Sequence, residues 1–253
     1  MKKLQLVVVL LMAVLLTSNA VAGAYWSGGA TGPWNDTWTW GNATNYPVAG
    51  DQAYTTSGGT VTIDGTAEAV GELHHSSWSG STNTLDIING GSLDVSIVNY
   101  IGVAAGDIAI LNIDATSSYS TGAAFNLGYN GSGTVNVSGT LDALGGLYVS
   151  NPWAAGTGDG TLNILDGVVN AVDFAMSANG LINIEAGALS IYGLWWDATL
   201  NGLIGANQIV GYGGTQAVNI DHVGDYTVLT AVPEPMTLSL LGLGMLGVLR
   251  RKK

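Results

Sequence analysis

Cysteine is absent from this 253-residue chain, and several kinds of chemistry are absent with it. No disulfide framework can brace the fold, no thiolate can bind a metal, and no cysteine can serve as a nucleophile. Backbone hydrogen bonds and apolar packing must therefore supply the stability of the folded part.

Positive charge is confined to the two ends of the chain. Lys2 and Lys3 stand at one end, four cations stand at the other, and residues 4–249 contain no lysine or arginine. All but one of the 18 acidic residues precede Pro233, so the part between the ends is purely acidic. Such a surface repels phosphate backbones, and we expect no nucleic-acid partner.

Charged residues of either sign are scarce at 9%, whereas glycine contributes 38 residues and apolar residues reach 47%. Because the apolar residues are spread along the whole chain, the composition excludes low-complexity disorder. The length suits one sizeable domain together with targeting segments.

The first 22 residues have the three parts of a secretory signal peptide. Lys2 and Lys3 precede an apolar run over residues 4–16, and the small residues Ala20 and Ala22 are placed for cleavage before Gly23. The alternative is a retained membrane helix, for which the apolar run is short. We therefore predict an exported protein.

The last 22 residues combine a rigid motif, an apolar stretch and a basic end. Pro233, Glu234 and Pro235 cannot extend a helix or a sheet ladder, so this segment stays extended. Residues 236–249 are apolar and can enter a bilayer. The cations that follow can stop transfer on the cytoplasmic side; they are Arg250, Arg251, Lys252 and Lys253. The pattern predicts contact with the membrane through this segment.

This tail closely resembles that of the PEP-CTERM class of exported bacterial proteins. The resemblance covers residues 232–253 and implies that an exosortase, a membrane-embedded processing enzyme, recognises Pro233, Glu234 and Pro235. It also implies an association with exopolysaccharide or biofilm matrix, and a location in the cell envelope, at the cell surface or outside the cell after processing. The alternative is a simple tail anchor, which needs no such motif.

An apolar-polar-apolar triplet recurs every 20 to 27 residues in the body of the chain. Its copies are Val61–Ile63, Leu85–Ile87, Leu111–Ile113, Val135–Val137, Leu162–Ile164 and Ile182–Ile184. Alternation with a period of two residues and glycine turns predicts strands, and no segment of the body shows a helical period. We predict an all-β fold, a right-handed parallel β-helix or similar solenoid of about five to six coils. An antiparallel β-sandwich is the alternative.

The repeats also resemble those shared by PEP-CTERM proteins and autotransporter passengers. The best copies are Gly133–Leu141 and Gly160–Ile164, in which a Thr-Val-Asn-Val or Thr-Leu-Asn-Ile strand follows a glycine. The resemblance implies a solenoid architecture and no particular activity. With the tail, it divides the chain into a signal peptide (1–22), a Trp-rich cap and first coil (23–80), solenoid repeats (81–200), closing strands (201–231) and a sorting segment (232–253).

Four tryptophans precede the repeats, and they are Trp26, Trp34, Trp38 and Trp40. A solenoid exposes an apolar end at its first coil, and these rings can cover it. Exposed indoles that stack on sugar rings are the alternative interpretation.

Asparagine occupies the central position of four successive triplets, at Asn112, Asn136, Asn163 and Asn183, and Asp86 precedes them. Between two inward apolar residues these side chains must point outward. Stacked coils would align them as a hydrogen-bonded ladder. A polar binding ridge is the alternative interpretation.

The chemistry of the body indicates no enzyme, cofactor or metal site. His74 and His75 are adjacent and face opposite sides of a strand, so we interpret them as surface histidines; His222 is isolated. We predict no catalytic residues and a structural or adhesive role at the cell surface or in the matrix. A secreted carbohydrate-binding or polysaccharide-active protein is the alternative.

Overall fold

A computed structural model describes residues 23–41, 45–77, 80–150 and 158–232. The described residues are mostly strand, at 54%, with 8% helix. Strands form because buried and solvent-facing residues alternate over each repeat, as in Ser132–Val137, where every second side chain is buried.

One face of the molecule is an eight-stranded sheet in which all neighbours are parallel. We number the strands in chain order. This face contains β2 (Gly32–Pro33), β4 (Gly59–Asp64), β6 (Thr82–Ile88), β8 (Ile108–Ile113), β11 (Ser132–Val137), β14 (Asp159–Ile164), β17 (Gly180–Ile184) and β19 (Ile209–Gly211).

The other strands belong to a 13-stranded sheet. They are β1 (Ala24–Trp26), β3 (Gln52–Thr55), β5 (Ala67–His75), β7 (Ser92–Ile101), β9 (Ser118–Thr121), β10 (Phe125–Leu127), β12 (Thr140–Ala143), β13 (Leu147–Val149), β15 (Val168–Ala171), β16 (Phe174–Met176), β18 (Ala188–Tyr192), β20 (Val218–Val223) and β21 (Tyr226–Ala231).

In the middle of the stack this second sheet forms two faces of each coil. Strand β7 pairs with β9 through Ser92–Val95 and with β10 through Asn99–Ile101. One long strand therefore lies beside two short strands of the next coil. Between β5 and β7 the register shifts at Val70 and Glu72, where the two faces meet. Each coil thus contributes one strand to the eight-stranded face and one or two to the other sheet.

Stacked aliphatic side chains fill the interior along the whole length of the solenoid. One column consists of Ile63, Ile87, Ile113, Val137, Ile164 and Ile184, which are register partners and are all buried. Full burial of one such side chain contributes about 1.5–3 kcal/mol. The columns merge into one core cluster that extends from Trp34 to Ala231.

Glycines at one corner allow neighbouring coils to approach closely. A Cβ atom on Gly139, Gly167 or Gly187 would collide with a backbone carbonyl of the preceding coil. None of these three residues has a positive φ, so space rather than backbone conformation requires glycine. The glycine turns seen in the sequence therefore mark where the coils touch.

The predicted parallel β-solenoid is confirmed, and the antiparallel β-sandwich is wrong because the strands of successive coils pair in parallel, with antiparallel pairing at the final strands β20 and β21. The stack has about seven turns, which is more than the five to six expected. The difference arises at the ends. Strand β2 lies in the segment interpreted as a cap, and β19 follows the last recognisable repeat.

One short helix lies at the far end of the stack, in a segment whose sequence shows no helical period. Helix α1 (Asp197–Gly205) buries Leu200 and places Leu203 and Ile204 against the core. It has no side-chain hydrogen bond at its N-cap and contains two glycines, so apart from Asp197 in the first turn its sequence offers few helix signals. Tertiary packing rather than intrinsic propensity stabilises this short helix.

The last two strands reverse the direction of the sheet. Strand β21 pairs antiparallel with β18, and β20 pairs antiparallel with β21. The parallel edge of the sheet is thereby covered by a hairpin, which limits edge-to-edge addition of further parallel strands.

The solenoid core should respond to the loss of a single stacked side chain. Leu111 is fully buried, whereas Ile108 on the same strand is 45% exposed. We expect Leu111→Ala to lower the free energy of unfolding by about 2–5 kcal/mol, because a cavity remains inside the stack. The control Ile108→Ala should change it by less than about 0.5 kcal/mol. Urea unfolding followed by circular dichroism measures both, and equal effects would contradict the assigned inward and outward positions.

Candidate functional site

The tail that resembles a sorting signal begins where the solenoid ends. The described chain stops at Val232, whose backbone N–H donates to the carbonyl of Ala217 at 2.8 Å. Strand β21 thus carries the chain out of the last turn. Three groups of predicted residues lie outside the described residues: Ala20 and Ala22; Pro233, Glu234 and Pro235; and Arg250, Arg251, Lys252 and Lys253. Among the described residues no helix is long and apolar enough to cross a membrane.

Two of the four clustered tryptophans are buried. Trp34 and Trp40 are 1% and 2% exposed and meet edge to face with ring centroids 4.8 Å apart. Their indole N–H groups donate to the carbonyls of Pro47 and Trp34 at 3.2 and 2.7 Å. Buried rings offer no face to a ligand, so sugar stacking by these two residues is excluded.

The other two tryptophans remain at the surface, in different settings. Trp38 lies in a short 3-10 turn, Thr37–Trp40, and is 73% exposed. Trp26 is 42% exposed and stacks on Tyr54 with centroids 4.1 Å apart. The interpretation of sugar stacking is therefore restricted to this pair.

Trp26 begins a column of aromatic rings that the sequence analysis missed. Tyr54 stacks on His74 at 4.5 Å, and His74 contacts Tyr100 at 5.5 Å. These residues are register partners on successive coils. Because rings within the column cover one another, it mainly stabilises the stacking of coils. Alignment of Tyr54, His74 and Tyr100 by their distance from each repeat could have revealed it.

The predicted polar ladder is confirmed from Asp86 to Asn163. The Nδ2 group of Asn112 donates to Oδ1 of Asp86, and Asn136 donates likewise to Asn112, both at 2.7 Å. Asn163 donates to Asn136 at 2.8 Å. The ladder ends there, because Asn183 instead contacts Glu185 at 3.4 Å and accepts a hydrogen bond from the N–H of Gly213 at 2.7 Å.

His75 is buried, contrary to the expectation that it lies at the surface. It is fully buried, its Nδ1 lies 2.6 Å from Oγ1 of Thr55, and its Nε2 lies 2.8 Å from the carbonyl of Ile110. Burial lowers the pKa of His75 to about 4, although the carbonyl of Ile110 opposes this shift. A neutral ring satisfies both contacts by donating from Nε2 and accepting at Nδ1.

The neighbouring histidine faces outward, in agreement with strand alternation. His74 lies 3.1 Å from a carboxylate oxygen of Glu72 and takes part in the aromatic column. His222 lies 3.3 Å from Asp197 near the far end. In the described part of the chain no group of three histidines or carboxylates could hold a metal ion.

Buried neutral His75 should make the solenoid sensitive to acid. The unfolded histidine titrates near its ordinary pKa of 6.5, whereas the folded one titrates at about 4. The unfolded state therefore binds the extra proton between these values, and stability falls as the pH drops from about 6.5 to about 4. At 1.36 kcal/mol per pKa unit, the loss should approach roughly 3 kcal/mol.

The measurement is the free energy of unfolding between pH 7 and pH 4 for the wild type, His75→Gln and the control His222→Gln. The His75 variant should lose this part of the pH dependence, and the control should keep it. A wild-type profile identical to that of His75→Gln would show that the buried ring does not cause the effect.

Comparison with known proteins identifies the tail. Residues 231–253 match the PEP-CTERM protein-sorting motif. This motif indicates an exported protein that an exosortase sorts to the cell surface. Neither a curated protein nor a solved structure matches the chain.

Proposed function

We propose that this protein is a structural or adhesive component of the bacterial cell surface or extracellular matrix, associated with exopolysaccharide or biofilm. The observation that carries the proposal is the continuous core of the solenoid, which leads directly through β21 into the sorting motif. An uninterrupted stack of coils is suited to act as a rod-like spacer. A catalytic role is not part of this proposal.

Processing of the tail provides the direct test. We expect the triple variant Pro233→Ala, Glu234→Ala and Pro235→Ala to be exported normally in the native host and to escape exosortase. The apolar segment and its basic end would then be retained. The variant should accumulate in the membrane fraction as a form about 2 kDa larger than the wild-type product, since roughly 20 residues suffice for the anchor.

Mass spectrometry of the C-terminal peptide reads the difference, and Thr237→Ala, just beyond the motif, is the matched control. A wild-type protein that keeps Arg250–Lys253 at steady state would leave only a plain tail anchor. Equal trimming of the triple variant would lead to the same conclusion.

A carbohydrate-binding role is the second candidate, and the exposure of Trp38 supports it. We expect Trp34→Ala to lower the free energy of unfolding by about 3–5 kcal/mol, because it empties a buried site. Trp38→Ala should change stability by less than about 0.5 kcal/mol. Thermal melting and retention on host exopolysaccharide are measured for both variants. If Trp38→Ala loses retention while its melting temperature is unchanged, Trp38 stacks on the sugar. If retention is unchanged, Trp38 does not contribute to carbohydrate binding.

A further inference from the structure

A groove of about 460 Å³ lies at the far end of the eight-stranded face, where the ladder of amides stops. Its lining residues come from the last three strands of this face and from the turns around β19. They are Asn163, Leu181, Asn183, Asn207, Val210, Gly213 and Gly214. The volume falls within the range of sites that hold small molecules.

The groove coincides with a break in the hydrogen bonding of the ladder. Asn163 and Asn183 are register partners on β14 and β17, but no hydrogen bond joins their amides in the described structure. Oδ1 of Asn163 therefore keeps its acceptor capacity, while Nδ2 of Asn183 is held only by the 3.4 Å contact with Glu185. A free acceptor and a weakly held donor therefore line the groove on neighbouring strands, whose backbones lie about 4.8 Å apart.

A strained turn forms one side of the groove. Tyr212, Gly213 and Gly214 all have positive φ angles, of 46°, 64° and 89°. An aromatic residue rarely adopts this left-handed conformation, and such outliers concentrate at binding sites. The N–H of Gly213 donates to Oδ1 of Asn183, so the same hydrogen bond that holds the turn draws Asn183 out of the ladder.

The chemistry of the lining selects a class of ligand. Three asparagine amides can donate to and accept from hydroxyl groups, and Leu181 and Val210 offer apolar contact to the C–H groups of a ring. No lysine or arginine occurs between residues 4 and 249, so nothing in the groove neutralises an anion. We propose that this groove binds a saccharide unit of a neutral polysaccharide. The inference deepens the proposed association with exopolysaccharide and rests on it.

The test is affinity gel electrophoresis of the protein purified from its host, in gels containing dextran or laminarin as neutral polysaccharides and alginate as an anionic one. The wild type should be retarded by at least one neutral polymer and not by alginate. Asn163→Ala should weaken binding at least tenfold, because the free acceptor is lost. Leu181→Glu should do the same by placing a charge in the groove, and its exposed position makes misfolding a poor explanation.

Asn112→Ala is the matched control, since it removes an amide from the same ladder outside the groove. It should bind like the wild type, and thermal melting should show all variants folded at the assay temperature. Equal weakening by Asn112→Ala, or retardation by alginate alone, would overturn the inference. No retardation by either neutral polymer, or stronger retardation by an unstructured protein such as casein in the gel, would also overturn it. If the tail is processed as expected in any of these cases, only the groove assignment fails and the proposed function stands.

Discussion

Parallel hydrogen bonding between successive coils holds each strand of the eight-stranded face in register with the next. Position by position, Leu85, Leu111, Val135 and Leu162 therefore stand over one another inside, and Asp86, Asn112, Asn136 and Asn163 do so outside. Each side chain must therefore pack against, or form a hydrogen bond with, the side chain at the same position of the next coil, about 4.8 Å away. Like aliphatic chains satisfy this requirement inside because identical shapes stack without voids, and amides satisfy it outside because each both donates and accepts.

The same constraint explains how a body without lysine or arginine carries so many carboxylates. A column of carboxylates at strand spacing would repel, and no cation of the body could offset that repulsion. Instead, carboxylates receive hydrogen bonds from neutral donors of an adjacent coil. Asn170 donates to Asp142 at 2.7 Å, Ser120 to Asp94 at 2.6 Å, and Asn112 to Asp86 at 2.7 Å. In the described part of the chain, the ion pairs within 4 Å both involve histidine. The acidic surface is thus compatible with close stacking while it still repels anionic polymers.

The two ends of the solenoid must break this regularity, and each does so with bulky groups. At the first turn Trp34 and Trp40 are buried and meet edge to face. At the last turn α1 buries Leu200, and Trp196 meets Phe174 edge to face at 6.2 Å. The hairpin of β20 and β21 then covers the sheet edge and releases the chain toward its sorting motif. The break in the amide ladder at Asn183 belongs to this same transition, because its register partner in the last turn is Val210 rather than another asparagine.

The sequence by itself determined the strand repeat, the polar ladder and the motifs that are written in consecutive residues. The alternation in copies such as Val135–Val137 specified strands, the asparagines at equivalent positions specified the ladder, and Pro233–Pro235 with the flanking segments specified the tail. Only the tertiary structure decided which tryptophans are buried, that His75 lies inside the core, that Asp197–Gly205 is helical and where the ladder ends. The reason is physical. Stacking in register carries a local pattern from coil to coil, so the pattern can be read along the chain. The environment of an end residue or of His75 depends on partners such as Pro47, Ile110 and Gly213, which no local pattern identifies.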